Sequence, residues 1–159
     1  MKVKLDVQPD HLEDVAKTRP VLGLAELIWN AVDADANTVS VSYERNKLGG
    51  IDRVIVADDG HGIDHTDALT SFSRLGGSWK KTKGTSQREK RALHGQEGKG
   101  RFKAFCLGNA IVWSSTYKAN GAIKRFRIVG QRPALNQFDV TEAVTSLSLG
   151  SIPRWNCST

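Results

Sequence analysis

Asn120-Gly121 sits between two runs of alternating polarity, 109–118 and 122–129. Asn-Gly accepts the two left-handed residues of a tight two-residue turn, so this stretch predicts an antiparallel hairpin with little freedom of register. A hairpin with one apolar face needs further strands and a covering layer. Upstream, Thr38 to Arg45 sets Val39, Val41 and Tyr43 against Ser40, Ser42 and Glu44, which reads as a second strand. After the turn Asn46 to Gly50, Ile51 to Ala57 is more apolar and is expected inside the sheet. Phe138-Asp139-Val140 and Ser146 to Ile152 are weaker and are expected as edge strands.

The covering layer comes from helices. Asp10 is suited to cap a short helix through Lys17, which Arg19-Pro20 breaks. Pro20 suits the first turn of the next helix, where Val21, Leu24, Leu27, Ile28 and Ala31 recur at helical spacing as a predicted buried stripe ending near Ala34-Asp35. A helix over 66–75 turns Leu69, Phe72 and Leu75 inward, and one over 100–107 turns Phe102, Phe105 and Cys106 inward. Trp29 and Trp113 are expected in the core. Helices and strands come in blocks, so the class is α+β: helices on one face of a mixed, mostly antiparallel sheet. At 159 residues the chain is expected to be one domain, 1–159, able to fold without a disulfide or metal staple.

No apolar run approaches the ~20 residues of a membrane span. The start, Met1 to Asp6, lacks the apolar stretch of a secretory signal. With two cysteines besides, Cys106 and Cys157, the chain is expected to be cytoplasmic and independent of membranes. Charge is concentrated. Lys80 to Lys103 holds nine basic and two acidic residues, more than the whole net charge of +6. Such a segment suits nucleic acid, a flap over a polyanionic small molecule, or a solvated loop.

Three places carry polar chemistry. Glu26, Asn30 and Asp33 stand at i, i+4 and i+7, on one face of the second helix. An acid and an amide so aligned can position a water and a hard cation such as Mg²⁺; an ordinary polar helix face looks the same. Asp58-Asp59-Gly60-His61-Gly62-Ile63 follows an apolar strand. Its glycines let backbone approach a flat ligand, and a carboxylate at the strand end can accept from an exocyclic amine; a plain glycine turn is the alternative. Gly95-Gln96-Glu97-Gly98-Lys99-Gly100-Arg101 leads into a helix. Its amides, with Lys99 and Arg101, can cradle an anion, though Gly100 rules out a Walker A loop. No CxxC, GxSxG or HExxH pattern occurs.

Taken in order, these segments resemble the GHKL superfamily: gyrase-type topoisomerases, heat-shock chaperones, histidine kinases and MutL-type mismatch repair proteins. Glu26 to Ala34 resembles its N-box, Asp58 to Ile63 its DxGxG box and Gly95 to Gly100 its GxxGxG box. The likeness spans about residues 10–130 and is nearest to bacterial heat-shock-like ATP-binding proteins. It implies a Bergerat-fold ATP site, a two-layer α/β sandwich. By position, Asp58 would bind the adenine amine, Asn30 Mg²⁺, and Glu26 would activate water. Gly95, Gly98 and Gly100 would cradle phosphates beside Lys99 and Arg101. Asp33, Gly60, Gly62 and Ile63 would shape the purine pocket, under a lid over 76–94. A Glu at position 26 favours hydrolysis over phosphorylation of a protein histidine. The tail 141–159 departs from the pattern: Leu149 to Ile152 resembles the family's Gly-Thr motif, and Pro153 to Thr159 do not continue it. That suggests truncation, with the γ-phosphate cation coming from a following domain or partner chain, slow turnover by the chain alone and a nucleotide-dependent dimer. A nucleotide sensor without turnover and a basic nucleic-acid-binding module stay open as alternatives.

Overall fold

The computed structural model describes residues 2–4, 9–73, 99–146 and 154–158; the lid segment 76–94, Gly95, Gly98 and 147–153 lie outside the described residues. The strands are β1 (Lys2–Lys4), β2 (Val39–Arg45), β3 (Ile51–Asp58), β4 (Ala110–Ala119), β5 (Ala122–Gln131), β6 (Gln137–Val140), β7 (Val144–Thr145) and β8 (Arg154–Ser158). They form one sheet in the order β1-β6-β5-β4-β8-β3-β2, with β7 pairing β5. Every described pairing is antiparallel. The helices are α1 (Pro9–Ala16), α2 (Pro20–Asp33), α3 (His65–Phe72) and α4 (Gly100–Lys103), the last continuing as a 3-10 turn over Ala104–Cys106. The result is the α+β sandwich that the patterning predicted.

The hairpin is as expected. β4 and β5 pair from Ala110↔Gln131 to Ala119↔Ala122, with Asn120 at φ +51° and Gly121 at φ +77° in the turn. Ile111, Trp113 and Tyr117 of β4 and Phe126 and Ile128 of β5 are buried with Val54 and Val56 of β3. Leu12, Leu27, Ala68, Phe72, Phe102 and Phe105 cover them from the helices, in one continuous core. Phe72 and Trp113 both meet Phe138 edge to face, with centroids 5.0 and 5.9 Å away, which ties α3 to the middle of the sheet.

Three local expectations are corrected. Val21 is 61% exposed and Trp29 42% exposed, so α2 buries a narrower stripe of Gly23, Leu27 and Ala31. Only a stripe of a helix reaches the sheet, and Val21 and Trp29 lie beside it. The 138–140 strand is not an edge, because β1 pairs along its outer side. The expected strand over 146–152 lies, beyond Ser146, outside the described residues; the tail contributes a central strand, β8, between β3 and β4. The helix over 100–107 is one α-turn followed by a 3-10 turn. Among the described residues no helix is long and apolar enough to cross a membrane.

Candidate functional site

Four polar side chains are buried among the described residues: Asp33, Asp35, Asp58 and Ser115. Burying a carboxylate costs several kcal/mol unless partners hold it, so such a concentration marks a purpose-built place. All four belong to the junction of α2, the loop after β3, and β4. Asp58, at the end of β3, is 3% exposed, and its Oδ1 accepts the Gly60 N–H at 2.9 Å. The sequence pattern drives it there: Val54, Val56 and Asp58 alternate onto the face that α2 covers.

The loop 59–63 is fixed on both sides. Toward α2, His61 N–H donates to the Ala34 carbonyl at 2.9 Å, and Asp59 Oδ1 accepts the N–H groups of Asn37 and Thr38 at 2.7 and 2.9 Å. Toward β4, Ser115 Oγ accepts the Ile63 N–H at 2.8 Å and donates to the Ile63 carbonyl at 2.9 Å. Gly62 lies between, at φ +70°, and a side-chain carbon there would fall 2.1 Å from the Thr116 carbonyl oxygen. Only glycine suits that approach. Asp64 then caps α3 by accepting the Thr66 N–H at 2.8 Å.

The Asp59 carboxyl is held below the usual range, first by the Thr38 N–H and also by that of Asn37, against the opposing pull of desolvation. A folded-state pKa below the unfolded one stabilises fully above the unfolded value and is lost as pH falls through the folded one. The melting-temperature gap between wild type and Asp59→Ala should therefore hold steady near neutrality. It should close as pH falls through and below the ordinary aspartate range. Calorimetric melts over a pH series check this; a gap of constant size in acid would assign the effect to something other than the carboxylate.

The second half of the site lies at the middle of α2. Glu26 and Asp33 are seven residues apart, about 10 Å along the helix axis, with Asn30 between them. The Glu26 carboxylate reaches α4: Lys103 Nζ donates to Oε1, and a side-chain carbon on Gly100 would lie 2.6 Å from Oε2. Lys99 stands at the N-cap position of α4. Arg101, expected to add charge to an anion cradle, instead stacks on Phe72 and Phe102, with its guanidinium carbon 5.2 and 4.9 Å from the ring centroids. Burial there lowers its pKa to about 10, so it stays charged at neutrality. That placement uses its charge in packing α3 against α4.

Of the residues singled out in the sequence, Asp33, Asp58, Gly60, Gly62 and Ile63 come together at one end of α2. Glu26 and Gly100 meet at its middle, and Asn30 lies on the helix between. Gly95 and Gly98 lie outside the described residues. Sequence reasoning missed Ser115 and Lys103. Ser115 was readable as the one polar residue in the inward row Ile111, Trp113, Ser115, Tyr117. Lys103 was readable only as one helical turn past Gly100. Among the described residues no three acidic, histidine or cysteine side chains group as a metal cage. A cation here would be held as Mg²⁺ often is, by one protein oxygen together with ligand phosphates and waters, and the side-chain oxygen of Asn30 is a hard donor of that kind.

Residues 19–143 match the model of the histidine kinase-, DNA gyrase B- and HSP90-like ATPases, a class of ATP-binding domain. The match covers well over half the chain and takes in all three motifs, and the chain belongs to this family. Among curated proteins it is similar to the DNA mismatch repair protein MutL of Myxococcus xanthus, 46% identical over 56 residues, which is 35% of this chain and 9% of the relative. MutL of Halalkalibacterium halodurans is 38% identical over 77 residues, 45% of this chain and 11% of the relative. MutL of Methanocorpusculum labreanum is 47% identical over 47 residues, 30% and 8%. The matched stretch thus spans about a tenth of each relative's length. These relatives are of the MutL type, where the sequence alone had pointed to the heat-shock-like branch.

Proposed function

We propose that this chain binds ATP with Mg²⁺ along α2 and hydrolyses it slowly, as the nucleotide-dependent switch of a larger protein or assembly. The observation that carries the reading is the buried Asp58 carboxylate, fixed at the strand end beside a glycine loop. In that role Asp58 accepts from the adenine amine, and Asp33, Gly60, Gly62 and Ile63 shape the purine pocket. Asn30 holds Mg²⁺, which when bound neutralises phosphate charge. Gly95, Gly98, Lys99 and Gly100 cradle the phosphates. Glu26 orients the attacking water and takes its proton. Turnover well below the ~10 s⁻¹ of a typical enzyme follows if the γ-phosphate cation comes from a following domain or partner chain, with closure as a nucleotide-dependent dimer. The relatives' role, DNA mismatch repair, and the basic segment at Lys80 to Lys103 together favour a DNA-linked process. A nucleotide sensor without turnover is the second reading; a cytoplasmic location belongs with the proposal.

A thermal melt tests it. For a ~100 µM site, ~5 mM ATP–Mg²⁺ adds about 2.3 kcal/mol, a rise of roughly 5–9 °C in a domain of this size. ADP should raise it too. An unchanged melting temperature with both nucleotides, in a folded sample, would remove the nucleotide role. A shift by an oligonucleotide alone, steeply weakened by salt, would replace it with nucleic-acid binding.

A further inference from the structure

We infer that Lys103 is the positioning residue for Glu26: it pins one carboxylate oxygen so that the other faces the phosphate loop. The inference rests on the reading of Glu26 as the group that orients water. The Lys103 ammonium donates to Oε1, while Oε2 lies against Gly100, the last glycine of the loop and the first residue of α4. Glu26 and Lys103 come from helices that pack on each other, and their side chains are 20% and 35% exposed. A half-buried pair is screened less than a surface pair, so it can hold a geometry that a solvated ion pair would not.

The arrangement divides the carboxylate between two tasks. A glutamate side chain has three rotatable bonds, and left to itself it samples rotamers in which neither oxygen faces the phosphates. Anchoring Oε1 removes that freedom and leaves Oε2 as the acceptor toward a water. Gly100 contributes by omission, since any side chain there would push against Oε2. Lys103 sits one turn into α4, the helix that Gly100 opens. Misplacing a catalytic group by about 1 Å can cost 100-fold. The effect of losing Lys103 therefore falls on the chemical step and not on binding.

The test uses Lys103→Met, Lys103→Arg and Glu26→Gln in the full chain, with three measurements. In nucleotide-free protein, the Glu26 side-chain carboxyl ¹³C resonance should move in Lys103→Met and largely return in Lys103→Arg. ATP–Mg²⁺ affinity by calorimetry should stay within about twofold of wild type in both lysine variants. Phosphate release should show kcat lowered about 10- to 100-fold by Lys103→Met at unchanged KM, with Lys103→Arg within about fivefold of wild type because it keeps the charge. An unmoved carboxyl resonance, a wild-type or raised kcat in Lys103→Met, or affinity weakened tenfold or more would each overturn the inference. The last would make Lys103 a phosphate ligand. Glu26→Gln separates the two levels. If it is inactive while Lys103→Met has wild-type kcat and KM, the positioning role alone fails. If Glu26→Gln turns over like wild type, or wild type does not exceed it, the reading of Glu26 fails and the inference with it.

Discussion

Asp58→Ala should abolish measurable ATP binding in a protein that still folds. The carboxylate is buried, and the Gly60 N–H already fixes its orientation, so it is preorganised to accept from an adenine amine. A hydrogen bond to a charged group contributes about 1.5–3 kcal/mol, roughly 10- to 150-fold in affinity. An amine left without its acceptor beside the buried loop adds to the loss. From a ~100 µM site, that carries the dissociation constant beyond the range a titration resolves. Asp58→Asn should fall between, since its amide keeps an acceptor for Gly60 but loses the charge. Calorimetric titration reads affinity and circular dichroism checks the fold. Wild-type affinity in Asp58→Ala would remove the adenine assignment.

Gly62→Ala should damage the same pocket from its other wall. The new methyl carbon would meet the Thr116 carbonyl at a distance no real contact shows, at a φ that side chains rarely adopt. The loop must move off β4, and the paired hydrogen bonds between Ile63 and Ser115 go with it. The strain and the lost bonds together should cost about 2–4 kcal/mol of stability, roughly 4–16 °C in melting temperature. ATP affinity should fall at least tenfold. Ser115→Ala is the milder companion, since it breaks the same bonds without strain. A Gly62→Ala protein with unchanged melting temperature and ATP affinity would mean that the loop is not held on β4.

What the sequence made legible was local and periodic. Asn120-Gly121 specifies its turn through the backbone angles its residues tolerate, and the alternation beside it specifies the register. Pro20 opens α2 for a similar reason. The Asp58 loop by itself reads equally as a plain glycine turn, and it was the order of the three motifs along the chain that singled it out. What stayed hidden depends on residues far apart in the chain. Arg154 to Ser158 alternates in polarity, yet five residues after a proline do not declare that they insert between β3 and β4. Val21 shares helical spacing with Leu24 and Ile28, and only the width of the sheet's contact shows it to be outside; Trp29 is a large aromatic two residues off the Leu27–Ala31 stripe. Arg101 and Lys103 are two basic residues on one helical turn, of which the sequence motif assigns only Arg101 to the phosphates. Their separation, one onto aromatic rings and one onto Glu26, follows from what α3 and α2 place beside them.

The central claim is that the α2 face and the Asp58 loop form an adenine nucleotide site. Titration of the wild-type chain with ATP–Mg²⁺, then GTP–Mg²⁺, tests it most directly. Guanine presents a carbonyl where adenine presents its amine, and a buried carboxylate repels it; sites built on such a hydrogen bond reject the wrong partner by about 10⁴. The account predicts saturable heat with ATP, at a dissociation constant near ~100 µM, and none with GTP. Equal heats from both nucleotides, or no heat from either, would contradict it.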